Sequence, residues 1–110
     1  MNEEIIKRIL QFRDDRNWRQ FHNPKDLAIS ISLEAAELLE TFQWSGADTQ
    51  VEEKRQDQKE ELADILMYWV LMADTLSLDI NEIISEKLKK NENKYKISQA
   101  YGSSKKYTEL

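Results

Sequence analysis

The stretch Glu61–Leu76, ELADILMYWVLMADTL, decides the fold. Placed on a wheel at about 100° per residue, it is apolar over nearly its whole circumference, with Ile65, Leu66, Met67, Trp69, Val70, Leu71, Met72 and Ala73 spread around it. Its polar stripe is narrow: Glu61, Asp64, Tyr68 and Thr75. Such a helix must be covered on most of its surface, so Trp69 is expected in the core and the acidic stripe inside the molecule or in a cleft. One copy of a 110-residue chain offers little material to cover it, which points to a homo-oligomer.

Upstream, Glu34 and Glu37 repeat the spacing between two apolar sectors, Leu27, Ile31, Ala35, Leu38 and Phe42 on one side and Ile29, Leu33, Ala36 and Trp44 on the other. Residues three apart share a helix face, so Glu34-x-x-Glu37 and Glu61-x-x-Asp64 can each aim two carboxylates at one point. Buried carboxylates without partners protonate or destabilise the fold, and a bound cation is the simplest partner. Four such acids suit Mg²⁺ and, through it, phosphates.

The remaining elements follow from local signals. Helix one is expected over roughly 3–19, with Ile5, Ile6, Ile9, Leu10 and Phe12 on one side. Asn23-Pro24 reads as N-cap and first helical position of helix two, with Asp26 favourable in its first turn; Ser45-Gly46 stops it after about Trp44. Residues 45–52 form the one sizeable loop, helix three runs from about 52 to 76, and Asp79 with Glu82 is a capping box for helix four, ending near Tyr95. The expected architecture is an all-α four-helix bundle over residues 1–95, with residues 96–110 a tail that orders over the ligand.

Composition agrees. Two glycines and one proline in a chain rich in Leu, Ile, Glu, Lys and Ala suit helices rather than a sheet with its turns. With no cysteine there is neither disulfide nor thiolate metal site, and no stretch resembles a signal peptide or a membrane span, so a cytoplasmic location is expected. The net charge of −5 is unevenly spread: residues 87–110 hold seven lysines against Glu92 and Glu109, whereas residues 1–86 hold nine basic and nineteen acidic residues. An acidic body with a basic end argues against a nucleic-acid polymer as partner and suits a metal–polyphosphate ligand.

The paired acids, separated by a loop, resemble the ExxE…ExxD signature of the MazG-like nucleotide pyrophosphohydrolases. The blocks Asn17–Pro24 (NWRQFHNP), Phe42-Gln43-Trp44, Glu60–Asp64 (EELAD) and Lys106–Leu110 (KYTEL) resemble the dCTP pyrophosphatase branch of that family. The resemblance implies an obligate homo-oligomer, dimer or tetramer, that hydrolyses a deoxynucleoside triphosphate such as dCTP to the monophosphate and pyrophosphate, cleaning the nucleotide pool. It implies Glu34, Glu37, Glu61 and Asp64 as Mg²⁺ ligands and catalytic groups. It further implies Trp18 and Trp44 flanking the base with Tyr68 beside it, and Lys87, Asn91, Lys94 and Tyr95 at phosphate and sugar. One departure bears on specificity: vertebrate dCTP-preferring members carry a base-contacting His in helix one, and this chain has Ile9.

Each signal has a plainer reading. The acids can be a solvated stripe, Trp18 and Trp44 lids at helix ends, His22 a capping residue in a connecting segment, and the tail lysines a solvated end. A helical interaction module whose acidic face binds a basic partner is the competing function, as is a metal-binding protein without turnover. Such a module should present its acids on an outer face beside exposed apolar anchors.

Overall fold

A computed structural model describes residues 1–110 and contains helices and no strands. Four long helices follow in order: α1, Glu3–Asp15; α2, Pro24–Glu40; α3, Arg55–Thr75; and α4, Ile80–Lys94. To these the structure adds a four-residue helix, α5, Ile97–Ala100, and short 3₁₀ turns at Trp18–Phe21, Glu52–Lys54 and Tyr107–Glu109. No helix is long and apolar enough to cross a membrane.

The helix starts are written in their caps. Asn2 Oδ1 accepts from the backbone N–H of Ile5 at 2.8 Å, Asn23 Oδ1 from that of Asp26 at 2.9 Å, and Asp79 Oδ1 from that of Glu82 at 2.9 Å. Each satisfies a donor that the first helical turn leaves without a partner. Pro24 follows its cap at the start of α2, where its missing N–H costs nothing.

Two helix ends differ from expectation. Helix one stops at Asp15 rather than Arg19, because Asn17 takes a left-handed backbone (φ 53°) and Trp18–Phe21 restart as a separate 3₁₀ turn. Asparagine tolerates that conformation better than most residues. Helix two stops at Glu40 rather than Trp44. There the N–H groups of Thr41, Phe42 and Gln43 bond carbonyls three residues back, and Thr41 Oγ1 donates to the Leu38 carbonyl at 2.7 Å. The chain tightens into turns and then breaks at Trp44, whose φ is 66°.

Contacts divide the chain into Met1–Ser77 and Leu78–Leu110. In the first unit α2 and α3 form the principal packed pair. Leu27 on α2 and Val70, Leu71 and Ala73 on α3 are buried, joined by Val51 from the connecting loop. That loop is pinned: Asp48 Oδ1 accepts from the N–H groups of Gln50 and Val51, while Gln58 Nε2 donates to the Gln50 and Val51 carbonyls. Val51 pays for its buried place with φ 49°, an uncommon conformation for a β-branched residue.

Helix three is not buried around its circumference as expected. Leu62, Leu66, Met67 and Trp69 remain between 39% and 49% exposed, so Trp69 is not a core residue within one chain. Only two other helices of the first unit pack on α3, and they cannot surround it.

In the second unit, α4 carries the C-terminal turn on an aromatic contact. The Tyr95 and Tyr107 rings meet edge to face at 6.0 Å, and Lys94 Nζ lies 4.9 Å from the Tyr107 ring centroid. The tail beyond α5 thus has a defined seat on its own unit.

Candidate active site

The acidic residues meet where α2 faces α3. Glu34 is seven residues, two helical turns, beyond the buried anchor Leu27, and Asp64 is two turns before the buried Leu71, so both lie on faces pressed between the helices. Glu61 lies one turn before Asp64 on the same stripe. One carboxylate oxygen from each of Glu34, Glu61 and Asp64 falls within 4.8 Å of the other two, and all three residues are half-buried. Glu37 is exposed and stands outside this triangle, yet within hydrogen-bonding reach of both Glu34 and Glu61.

This arrangement is electrostatically unfavourable by itself. Burial, a hydrogen bond with Glu37 and the negative charges of Glu37, Asp64 and Glu61 push the Glu34 carboxyl up to about 7. Its contact with Glu37 and its burial raise Glu61 as well. Oε2 of Glu34 and Oε2 of Glu61 are buried with no hydrogen-bond partner. Two orphaned anionic oxygens beside a third carboxylate form an oxygen-only donor set, and a hard divalent cation fits it.

Beside the triangle lies a cavity of about 410 Å³. Ile5, Ile9 and Phe12 from α1 and Met67 and Leu71 from α3 give it apolar walls, and Arg8, Arg13, Trp18, His22, Asp64 and Tyr68 complete the lining. Asp64 therefore belongs to both the cavity and the acidic cluster. The left-handed turn at Asn17 is what brings Trp18 round: its ring meets Phe12 edge to face at 5.7 Å, and the Arg16 guanidinium covers the Phe12 ring at 3.7 Å.

The polar wall is held by a pairing across the fold. Arg13, only 3% exposed, donates from Nη1 to Asp74 at 2.6 Å and from Nε to Asp14 at 2.8 Å, tying α1 to α3. His22 Nδ1 is buried without a partner, and burial together with the Arg13 charge lowers its pKa, favouring the neutral ring.

Of the residues singled out in the sequence, the structure joins Glu34, Glu61 and Asp64 in one cluster with Glu37 adjoining, and sets Trp18 and Tyr68 in the neighbouring cavity. Trp44 is not in that cavity's wall; it is 92% exposed beyond the end of α2. Lys87, Asn91 and Lys94 lie on α4 and Tyr95 caps it, all in the second unit. Sequence reading missed the participation of Arg13, Asp74 and His22. A signal existed for the first: Arg13 occupies the register of Ile6 and Ile9 on the apolar side of α1, where a cation needs an internal partner.

Comparison with known proteins identifies the family. The family model for the MazG-like family matches residues 29–110. A mouse protein named dCTP pyrophosphatase 1 is 33% identical, the alignment covering 98% of this chain and 66% of that protein; its human counterpart is 34% identical with the same coverage. The chain thus spans about two thirds of the length of these relatives. The crystal structure of a pyrophosphatase from Archaeoglobus fulgidus superposes with a TM-score of 0.79 at 40% identity, covering 86% of this chain and 91% of that one. The acidic helices, their spacing and these similarities together establish that the chain belongs to the MazG-like family.

Proposed function

We propose that the protein is a Mg²⁺-dependent nucleotide pyrophosphohydrolase that cleaves deoxynucleoside triphosphates, dCTP or a close relative, to the monophosphate and pyrophosphate. The observation that carries this reading is the adjacency of two half-sites sharing Asp64: an oxygen-only acidic cluster with two orphaned oxygens, and an apolar cavity with an aromatic wall. A triphosphate has the matching polarity, with an anionic chain at one end and a flat ring at the other. The naming of the mouse and human relatives as dCTP pyrophosphatase supports the substrate class.

Glu34, Glu61 and Asp64 would hold the cation, with Glu37 completing the set. When bound, the ion neutralises phosphate charge and acidifies water at the site. The protein's own groups then have distinct tasks. Glu34 or Glu37 holds the attacking water and accepts its proton as the water oxygen bonds to the α-phosphorus and the bond to the bridging oxygen of pyrophosphate breaks. Without a cation the Glu34 carboxyl is pushed up to about 7 by its burial and its acidic neighbours; a bound cation would favour its ionised, proton-accepting form. Trp18 stacks on the base, Tyr68 lies beside it, and the apolar walls of α1 and α3 exclude water from it. Lys87, Asn91, Lys94 and Tyr95 are assigned to phosphate and sugar because their spacing resembles the family's block.

The assembly belongs to the same proposal. Leu33 and Leu39 on α2 are 61% and 70% exposed and accompany the half-exposed Leu62, Leu66 and Trp69 of α3, more apolar surface than an isolated domain ordinarily shows. A second copy of the chain would cover it, and Trp44 is assigned to flank the base because its position resembles the family's.

The test is release of pyrophosphate from each of the eight common ribo- and deoxynucleoside triphosphates, with Mg²⁺ and with EDTA. Metal-dependent release favouring a deoxynucleotide is the expected result. No release from any of them would contradict the reading.

A further inference from the structure

The acidic cluster explains how a phosphate chain is held, but a different group faces the base. Arg13 is the most buried charge in the chain, and two of its three guanidinium nitrogens are committed: Nε to Asp14 and Nη1 to Asp74. Those two carboxylates fix the plane of the guanidinium from either side. Nη2 makes no hydrogen bond within the chain, while the side chain lines the cavity together with Trp18 and Tyr68. The side chain is 3% exposed overall, yet Nη2 is not sealed off, so this one nitrogen keeps its donors open to a ligand.

We propose that Arg13 reads the nucleobase by donating from Nη2 to a ring carbonyl oxygen, so that the cavity selects bases bearing one, cytosine, thymine, uracil or guanine, against adenine. This inference rests on the proposed reading of the cavity as the base site. A guanidinium has donors only, so the ligand must present an acceptor there. A carbonyl oxygen with two lone pairs does so. Adenine has no carbonyl: its acceptors are ring nitrogens with one lone pair each, and where guanine has a carbonyl it carries an amine whose hydrogens would face the donor. The neighbouring His22 Nδ1, buried and unpartnered, sits in the same wall and supplies a second polar contact to the ring edge. Asp74 positions the reader: it is on α3, ten residues beyond Asp64, so the ion pair sets the α1 wall against the helix that carries the acids.

The experiment compares kcat and KM of the full-length wild type for dCTP, dTTP, dGTP and dATP with those of two variants. Arg13→Lys keeps a charge for Asp74 but offers one nitrogen in place of three, so none is left for the base. Arg13→Met combined with Asp74→Leu removes the charged pair that ties α1 to α3 and leaves only Asp14, which is 45% exposed and can be solvated by water. The expected result in both is a KM increase of about tenfold or more for the carbonyl-bearing substrates, with kcat held within about twofold and dATP little affected, because a charge-assisted contact has been lost from the base alone. A loss equal for all four nucleotides, or an unchanged ratio to dATP, would overturn the assignment of Arg13 while leaving the pyrophosphohydrolase reading intact. Absence of metal-dependent release by the wild type from any nucleotide would instead overturn the functional reading and, with it, this one.

Discussion

The two half-sites that meet at Asp64 are built in opposite ways. The acidic half is assembled from residues at three-residue spacing on two long, well-packed helices, and its chemistry is repulsion waiting for a cation. The cavity half sets a face of α3 against α1, a left-handed break at Asn17 and a 3₁₀ turn, and its chemistry is aromatic area with a few fixed donors. Rigid helix faces fix the spacing of the carboxylates, whereas an irregular connection bends a tryptophan into the cavity wall.

If the halves divide the labour in this way, damage to one should leave the other's signature alone. Glu61→Gln should have the largest effect, lowering kcat by at least about a hundredfold with helicity unchanged by circular dichroism, since even supporting groups of metal sites cost about 10- to 100-fold. Turnover at the wild-type rate would show that the acids are not the catalytic half. Trp18→Ala should act on the cavity half: loss of stacking worth about 1–3 kcal/mol should raise KM about five- to hundredfold while kcat changes little. A fall in kcat with constant KM would show that Trp18 serves the chemistry instead.

A smaller effect separates the halves by pH. The Glu34 carboxyl is raised from 4.5 to about 7 in the folded chain, so without a cation its contribution to stability is fully present below about pH 4.5 and is lost as pH rises through 7. Mg²⁺ bound to the ionised cluster should reverse that loss, giving a larger Tm increase at pH 8 than at pH 6. Equal increments at both values would mean that the ion binds elsewhere. The smallest effect is a control outside both halves. Asn23→Ala removes the α2 cap and should cost about 1 kcal/mol of stability, read as a lower Tm, with kcat/KM of the folded enzyme preserved.

The same contrast explains what was legible in the sequence. Helix starts could be read because Asn23-Pro24 and Asp79 cap locally, and the acids could be read because three-residue spacing is a local fact. The helix ends were set too late at Arg19 and Trp44, because left-handed backbones at Asn17 and Trp44 are decided by what the following turn packs on. The Arg13–Asp74 pair spans 61 positions, and no local pattern announces it. Trp69 and its neighbours on α3 read as core because an apolar circumference demands cover, but one chain supplies cover on only part of it.

Whether Glu34, Glu61 and Asp64 form a divalent-cation site is decided by calorimetric titration of Mg²⁺ into the wild type and Glu61→Gln at pH 8. The wild type should bind saturably, with binding lost or much weakened in the variant. Indistinguishable binding curves for the two proteins would contradict it.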